Sequence, residues 1–260
     1  MTIHFYALCI ILGVAFAIWL GEKRYRQYGG NPGVVSDLAI WVVPAGVIGG
    51  RIYHIFTSPE YFFGKSGNLI DIFKIYQGGL GIWGAITLGG LVAYWRYQKL
   101  SNAIPFAFFM DALAPGILIA QGIGRFGNWF NGELFGSPTT LPWALEIPRW
   151  LRPTGFDNFA TYHPTFLYEA LCNFLLAGIL IYHRALKILR DESQKNTKSL
   201  RPGSIFILYV AGYCTYRFFI EGLRIDSAHN FMALRLNQWV SLILGVSAFI
   251  KFRSFSKSKR

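Results

Sequence analysis

The stretch PFAFFMDALAPGILIAQGI (Pro105–Ile123) runs directly into GRFGNWFNGELFG (Gly124–Gly136). Its first part is an apolar run of the length that crosses a bilayer as a helix, about 20 residues. Its second part is too polar for the point where it falls, at the end of a span where the chain meets the membrane surface. Arg125 and Asn128 are three residues apart, so on a helix they are neighbours. Asn131 and Glu133 follow within two turns. Gly124, Gly127 and Gly132 remove side-chain bulk and weaken a helix. Together they predict a broken helix end with backbone N–H groups open to a ligand. A guanidinium beside amides and free N–H groups suits a phosphate oxyanion, which arginine grips through two nitrogens.

The rest of the chain repeats this pattern of spans and polar ends. Charged residues make up 15% of the chain, where a soluble domain carries about a quarter, and mean hydropathy is +0.36. Seven apolar segments fall at about 3–21, 37–56, 79–97, 105–123, 165–184, 203–221 and 237–252. The net charge of +12 would suggest nucleic acid in a soluble protein. Here it is distributed as cytoplasmic loops facing anionic lipid would have it. One set of alternate loops holds Lys23, Arg24 and Arg26, then Arg96 and Lys99, then a cluster from Arg184 to Arg201, then Lys251 to Arg260. The other set holds only Lys65, Lys74, Arg149, Arg152 and Arg235. Seven spans with the N-terminus outside and the C-terminus cytoplasmic explain this alternation; six or eight break it. The expectation is an all-α membrane protein, one integral domain over residues 1–260, with a basic cytoplasmic loop at 184–201. In that loop Asp191, Glu192 and Gln194 favour a solvated segment over a nucleic-acid site. Met1–Leu20 is apolar before any charge, which fits a first span rather than a cleaved signal peptide.

Two external arms are expected. The longer, residues 135–162, holds Pro138, Pro142, Pro148 and Pro153 with Trp143 and Trp150. It reads as an ordered arm at the interface, where Trp prefers to sit, or as a simple connector. The other, near residues 57–77, is also rich in aromatic residues. No internal repeat favours a transporter built from inverted halves.

Ionisable groups within spans are costly and mark functional sites by default. Tyr213, Arg217, Glu221 and Arg224 recur on one face of the sixth span. Arg217 and Glu221 can pair, leaving Arg224 near the external end; the plainer reading is a structural ion pair between helices. Further polar candidates are His4 and Tyr6, Arg51 and His54, Asp111, and His163, Tyr168 and Glu169 at the start of the fifth span. No pair has metal-ligand spacing, and no P-loop, GxSxG or CxxC motif is present. Cys9, Cys172 and Cys214 lie in apolar runs and indicate neither a disulfide framework nor zinc. Gly46, Gly49 and Gly50, with Gly78, Gly79, Gly81 and Gly84, fit either close helix packing or backbone approach to a ligand.

The run GRFGNWFNGELFG resembles the signature GRxGNFxNxExxG of the bacterial prolipoprotein diacylglyceryl transferases, with Trp129 in place of Phe. HFY (His4–Tyr6), GGRIYH (Gly49–His54), FMDALAPG (Phe109–Gly116), HPTFLYE (His163–Glu169) and YRFFIEGLR (Tyr216–Arg224) extend the resemblance along nearly the whole chain. The resemblance implies seven membrane helices with external arms in the bacterial plasma membrane, and an active site facing outward. It implies transfer of the diacylglyceryl group of phosphatidylglycerol to the lipobox cysteine thiol of prolipoproteins. A thioether forms and glycerol 1-phosphate leaves. Carried over by position, Arg125, Arg217, Glu133 and Tyr6 take catalytic roles. Arg125, Asn128, Asn131, Gly136, Arg217, Glu221 and Arg224 hold the phospholipid. No metal or other cofactor is required, and no nucleic-acid partner is implied. The family's GGxxxHGG segment reads GGLGIWGA here (Gly78–Ala85), so Trp83 stands at the histidine position. Indole only donates a hydrogen bond and cannot take the thiol proton. If a base is needed, Glu133, Glu221, His4 and His54 are the candidates. The rival expectation is a transporter or lipid-binding protein that uses the same arginines as an anion site.

Overall fold

In a computed structural model, residues 5–63, 67–75, 78–101, 103–194, 201–226 and 230–257 are described. His4 and residues 195–200 of the basic loop lie outside them. Seven long helices make up most of the described chain: α1 (Phe5–Gln27), α2 (Val34–Thr57), α3 (Ile82–Gln98), α4 (Phe106–Asn131), α5 (Thr165–Gln194), α6 (Ser204–Leu223) and α7 (Leu236–Lys257). Each coincides with one expected apolar segment. α1, α2, α4 and the Thr165–Tyr182 part of α5 are long and apolar enough to cross a membrane. α3 has 17 residues, about 25 Å of helix at 1.5 Å per residue. α6 carries Arg217 and Glu221, and α7 carries Lys251 and Arg253. α5 continues to Gln194, through the residues where the basic loop was expected to begin.

The chain forms two compact units, one of Tyr25–Phe106 and one of Met1–Arg24 with Ala107–Arg260. In the first, α2 and α3 are antiparallel and touch backbone to backbone. A Cβ on Gly49 would stand 2.3 Å from the Gly84 carbonyl oxygen, and one on Gly84 would stand 2.1 Å from that of Gly49. Gly50 accepts a hydrogen bond from the Gly81 amide at 2.9 Å. The glycines of these two helices therefore serve close packing. Arg51, next along α2, closes the connecting loop. Its Nε donates to the Ile72 carbonyl (2.9 Å) and its Nη1 to those of Gly78 (2.9 Å) and Gly79 (3.1 Å), while Nη2 reaches the Asp71 carbonyl. Its guanidinium also lies over the Phe62 ring.

In the second unit the same chemistry joins α1 to α4. A Cβ on Gly13 would lie 3.0 Å from the Ala120 carbonyl, one on Gly116 3.0 Å from that of Ala17, and one on Gly127 2.7 Å from the Tyr6 ring. The pairs step in opposite directions along the two helices, which fixes an antiparallel contact ending at Tyr6 and Gly127. Ala114 and Leu118 of α4, Ala177 and Leu180 of α5 and Ile205 of α6 form a buried core. Asp111 of α4 caps the start of α6: its two carboxylate oxygens accept from the Gly203 and Phe206 amides, each at 2.8 Å. Asp111 thus satisfies two of the orphan N–H groups of a helix whose own N-cap residue is glycine.

Between α4 and α5 lies the long arm. Strands β1 (Leu145–Glu146) and β2 (Thr161–Tyr162) pair antiparallel. Phe135, Ile147 and Tyr162 form a small core of their own. The buried Tyr162 hydroxyl donates to the carbonyls of Phe156 (2.7 Å) and Phe159 (3.1 Å). The segment thus carries a hairpin and a small core of its own. A second hairpin, β3 (Asn230–Phe231) and β4 (Leu234–Arg235), joins α6 to α7.

Candidate functional site

The signature segment does not break where the glycines suggested. α4 runs unbroken through Gly124 and Gly127 to Asn131, so the amides of this stretch are spent on the helical ladder. The break comes at Gly132, in the left-handed region at φ 63°. There the Gly132 amide donates to the Trp129 carbonyl (3.0 Å) and the Glu133 amide to that of Asn128 (3.0 Å). This is the 5→2 and 6→1 pair of a Schellman C-cap, with glycine at the left-handed position. The expected exposed N–H cradle is therefore corrected to a capped C-terminus, whose loose groups are carbonyls.

The cap explains why the motif contains Asn128, Asn131 and Glu133. The turn folds Glu133 back over the last helical turn. Its Oε1 accepts from Asn128 Nδ2 at 2.9 Å and from Asn131 Nδ2 at 3.1 Å. Asn128 Oδ1 in turn accepts from Arg125 Nη1 at 3.3 Å. The line leads from exposed Glu133 and Asn131 through buried Asn128 to half-buried Arg125.

Arg125 then meets a residue that the expected site set omits. Glu169 on α5 is only 3% exposed, and its Oε2 stands 2.5 Å from Arg125 Nε. Its other oxygen accepts from Arg217 Nη1 on α6. Arg217 Nη2 lies 2.5 Å from Oε2 of Glu221, which is 1% exposed. Glu221 is shared further, with Arg224 Nη1 at 3.8 Å and Arg235 Nε at 3.4 Å. Asp226 closes the series at the α6–α7 loop, accepting from Arg224 Nε (2.7 Å) and Nη2 (3.0 Å) and pairing with Arg235 Nη2 (3.1 Å). Burial alone would raise the Asp226 carboxyl; the adjoining Arg224 and Arg235 outweigh it and hold it below the ordinary carboxylate value. The network is thus one line of alternating charge running from the end of α4, across α5 and α6, to the start of α7.

The sequence grouped Arg217, Glu221 and Arg224, and these do share a site. Tyr213 joins them: it packs against Tyr209 and Tyr216 and lies within electrostatic reach of Arg217. Glu169 and Arg235 were underweighted. The rule that promotes intramembrane charges applies to Glu169 as it does to Arg217. For Arg235, at the end of a loop, no sequence signal exists.

Neighbouring contacts set this line in place. Asn173, one turn along α5 from Glu169, donates to the Glu169 carbonyl (2.8 Å) and accepts from the Tyr216 hydroxyl (2.7 Å). The arm's first residues thread between α5 and α6. The Gly136 amide donates to the His163 carbonyl, and that of Ser137 to Leu223, each at 2.8 Å. A Cβ on Gly136 would come within 2.9 Å of Thr165, His163 and Leu223 atoms, so no side chain fits there. Tyr6 reaches the site's edge by lying on Gly127, and Phe5 stacks on Phe130 at 4.9 Å. Trp129 lies parallel to Phe166 of α5 at 6.3 Å. His163 Nδ1 is bonded to the Tyr168 hydroxyl (3.1 Å), which accepts from Trp143 Nε1 of the arm (2.9 Å). His54, Arg51 and Trp83 belong to the other unit. There His54 stacks on Tyr61, and Trp83 is half-buried in the first turn of α3. Among the described residues no cluster of His, Cys, Asp or Glu could hold a metal.

Comparisons with known proteins concern the whole chain. A family model described as "Prolipoprotein diacylglyceryl transferase" matches residues 1–252. The phosphatidylglycerol–prolipoprotein diacylglyceryl transferase 2 of Streptomyces coelicolor is 50% identical, over 94% of this chain and 73% of its own length. Those of Corynebacterium efficiens (48%, over 100% and 80%) and Bifidobacterium adolescentis (44%, over 99% and 77%) are similar along the same extent. The chain belongs to the prolipoprotein diacylglyceryl transferase family.

Proposed function

We propose that this chain transfers the diacylglyceryl group of phosphatidylglycerol to the lipobox cysteine thiol of prolipoproteins, the first step of bacterial lipoprotein maturation. The observation that carries the reading is the convergence of Arg125 and Arg217, from separate helices, on one buried point. Both lie within the segments that carry the family resemblance. In the reaction the thiol sulfur bonds to a glycerol carbon as the bond from that carbon to phosphate oxygen breaks. The electron pair leaves with glycerol 1-phosphate, and the thiol proton is released. Two guanidiniums held in a partly buried site stabilise the charge that grows on the departing phosphate. They also lower the pKa of a nearby thiol from about 8.5, which raises the thiolate fraction without a dedicated base. Trp83 at the family's histidine position is compatible with this electrostatic route.

In this reading Arg125 and Arg217 grip the phosphate. Asn128, Asn131 and Glu133 orient Arg125 and meet the headgroup. Glu221 and Arg224 hold Arg217 from the other side. Gly136 and Tyr6 shape the site's edge. Seven spans with the N-terminus outside put the site at the external face of the plasma membrane. The apolar side chains that α3, α6 and α7 leave exposed support this topology, among them Leu91, Phe219 (68%) and Ile243. So does Trp150 of the arm, 84% exposed, as an interfacial anchor.

The test combines purified protein, phosphatidylglycerol and a lipobox peptide, and reads the peptide's mass. A gain equal to a diacylglyceryl group is expected. Flux of an anion across vesicles with no covalent product would establish the transporter reading instead.

A further inference from the structure

We propose that Glu169 is an internal stand-in for the substrate phosphate, and that the lipid headgroup binds by exchanging with it. The inference rests on the transferase reading. Glu169 places one carboxylate oxygen on Arg125 and the other on Arg217, which is how a phosphate with two oxygens would bridge them. Both ω-nitrogens of Arg217 already carry carboxylates, Glu169 on Nη1 and Glu221 on Nη2. A phosphate that takes either of these two positions on Arg217 displaces the carboxylate that holds it.

Glu221 is the worse candidate to leave. Arg224, Arg235 and Asn237 all hold it besides Arg217. Among the described residues, the Glu169 carboxylate is held by the two arginines alone. Arg125 Nε, Glu169 Oε2 and Glu221 Oε2 are all buried without an aligned hydrogen bond among the described residues, so the larger number of groups on Glu221 is what separates the two. Charge counting points the same way. The line from Glu133 to Asp226 has four arginines and four carboxylates. Glu133 and Asp226 lie toward solvent at the two ends of this line, so at its buried centre exchange of one anion for another conserves the charge that Arg125 and Arg217 face. Asn173 keeps its bond to the Glu169 backbone carbonyl, not the side chain, so α5 stays in place when the carboxylate swings out.

Exchange predicts an effect opposite to that of a structural ion pair. Glu169→Gln removes the competing charge and keeps the shape. It is expected to bind phosphatidylglycerol in nanodiscs, and the product glycerol 1-phosphate in solution, about tenfold more tightly than the wild type. Diacylglycerol, which has no phosphate, is expected to bind both proteins equally. In turnover KM for phosphatidylglycerol falls. Glu169→Asp, too short to bridge both arginines, shifts in the same direction by less and serves if the glutamine variant does not fold. Equal or weaker phosphate binding by the folded variant overturns the proposal and leaves Glu169 as a structural brace. Lack of both binding and transfer by the wild type would instead remove the transferase reading.

Discussion

Arg125 on α4 and Arg217 on α6 share a single carboxylate, that of Glu169 on α5. Three helices are therefore joined by charge at one buried point, and each arginine needs the others' geometry. Replacing Arg125 with Ala is expected to abolish transfer to a lipobox peptide while the protein still inserts. Arg217→Ala should do the same and also cost about 3–5 kcal/mol of stability, because it leaves Glu169 and Glu221 as buried charges short of a partner. Arg217→Lys should rescue little, since one ammonium cannot reach two carboxylates in a fixed fork. Peptide mass and thermal unfolding in detergent check both parts; full activity in either alanine variant would remove the electrostatic basis of the proposed reaction.

The Schellman cap at the end of α4 makes a second prediction. Gly132 has φ 63°, where a side chain costs about 1–2 kcal/mol. Gly132→Ala should loosen the turn that returns Glu133 to Asn128, lowering activity more than stability. Gly136→Ala differs, because its Cβ would strike Thr165, His163 and Leu223. It should separate the arm from α5 and α6 and show as faster protease cleavage within residues 137–162. Comparing the two variants by limited proteolysis and turnover distinguishes the cap from the arm.

What was legible in the sequence follows from how far each signal reaches. Span-length hydrophobicity is local, so the seven helices could be placed from composition alone. The ends were harder to place. α4 and α5 run past their apolar segments because backbone hydrogen bonds continue a helix after its side chains turn polar. The glycines of GRFGNWF misled for the same reason: Gly127 lies against Tyr6 and Gly124 near Ile10, so they serve packing against α1 and leave the helix intact. Arg217, Glu221 and Arg224 were readable as a face because helical periodicity brings them together. Glu169 and Arg235 join them only across helix contacts, which no local spacing encodes.

Arg51 and Trp83 give a third prediction. Arg51 reaches four backbone carbonyls of the loop before α3, including those of Gly78 and Gly79 in the segment that holds Trp83. Arg51→Ala should expose these carbonyls and raise hydrogen exchange across residues 67–82. Arg51→Lys should restore little of the protection, for lack of a fork of donors. Trp83→Phe tests whether the indole only packs, in which case activity is unchanged. A large rise in activity for Trp83→His would instead favour a dedicated base at that position.

The last prediction concerns acid stability where α6 meets α7. Asp226 lies between Arg224 and Arg235, which hold its carboxyl below the ordinary value despite partial burial. A carboxyl with a depressed folded-state pKa binds its proton more readily in the unfolded chain. Its stabilising contribution is therefore fully present above the unfolded value, about 4, and is lost as pH falls through the folded one. The same cluster anchors the β3–β4 hairpin, because Arg235 Nη2 donates to the Asp226 carbonyl at 2.6 Å and Nη1 to that of Arg224 at 3.1 Å. Thermal unfolding from pH 7 to pH 3 should show a plateau down to about pH 4 and a fall below it. Asp226→Asn should be less stable on the plateau and lose part of that fall, since the group that titrates is gone. An unchanged acid limb in the variant would show that other carboxylates of the network carry it.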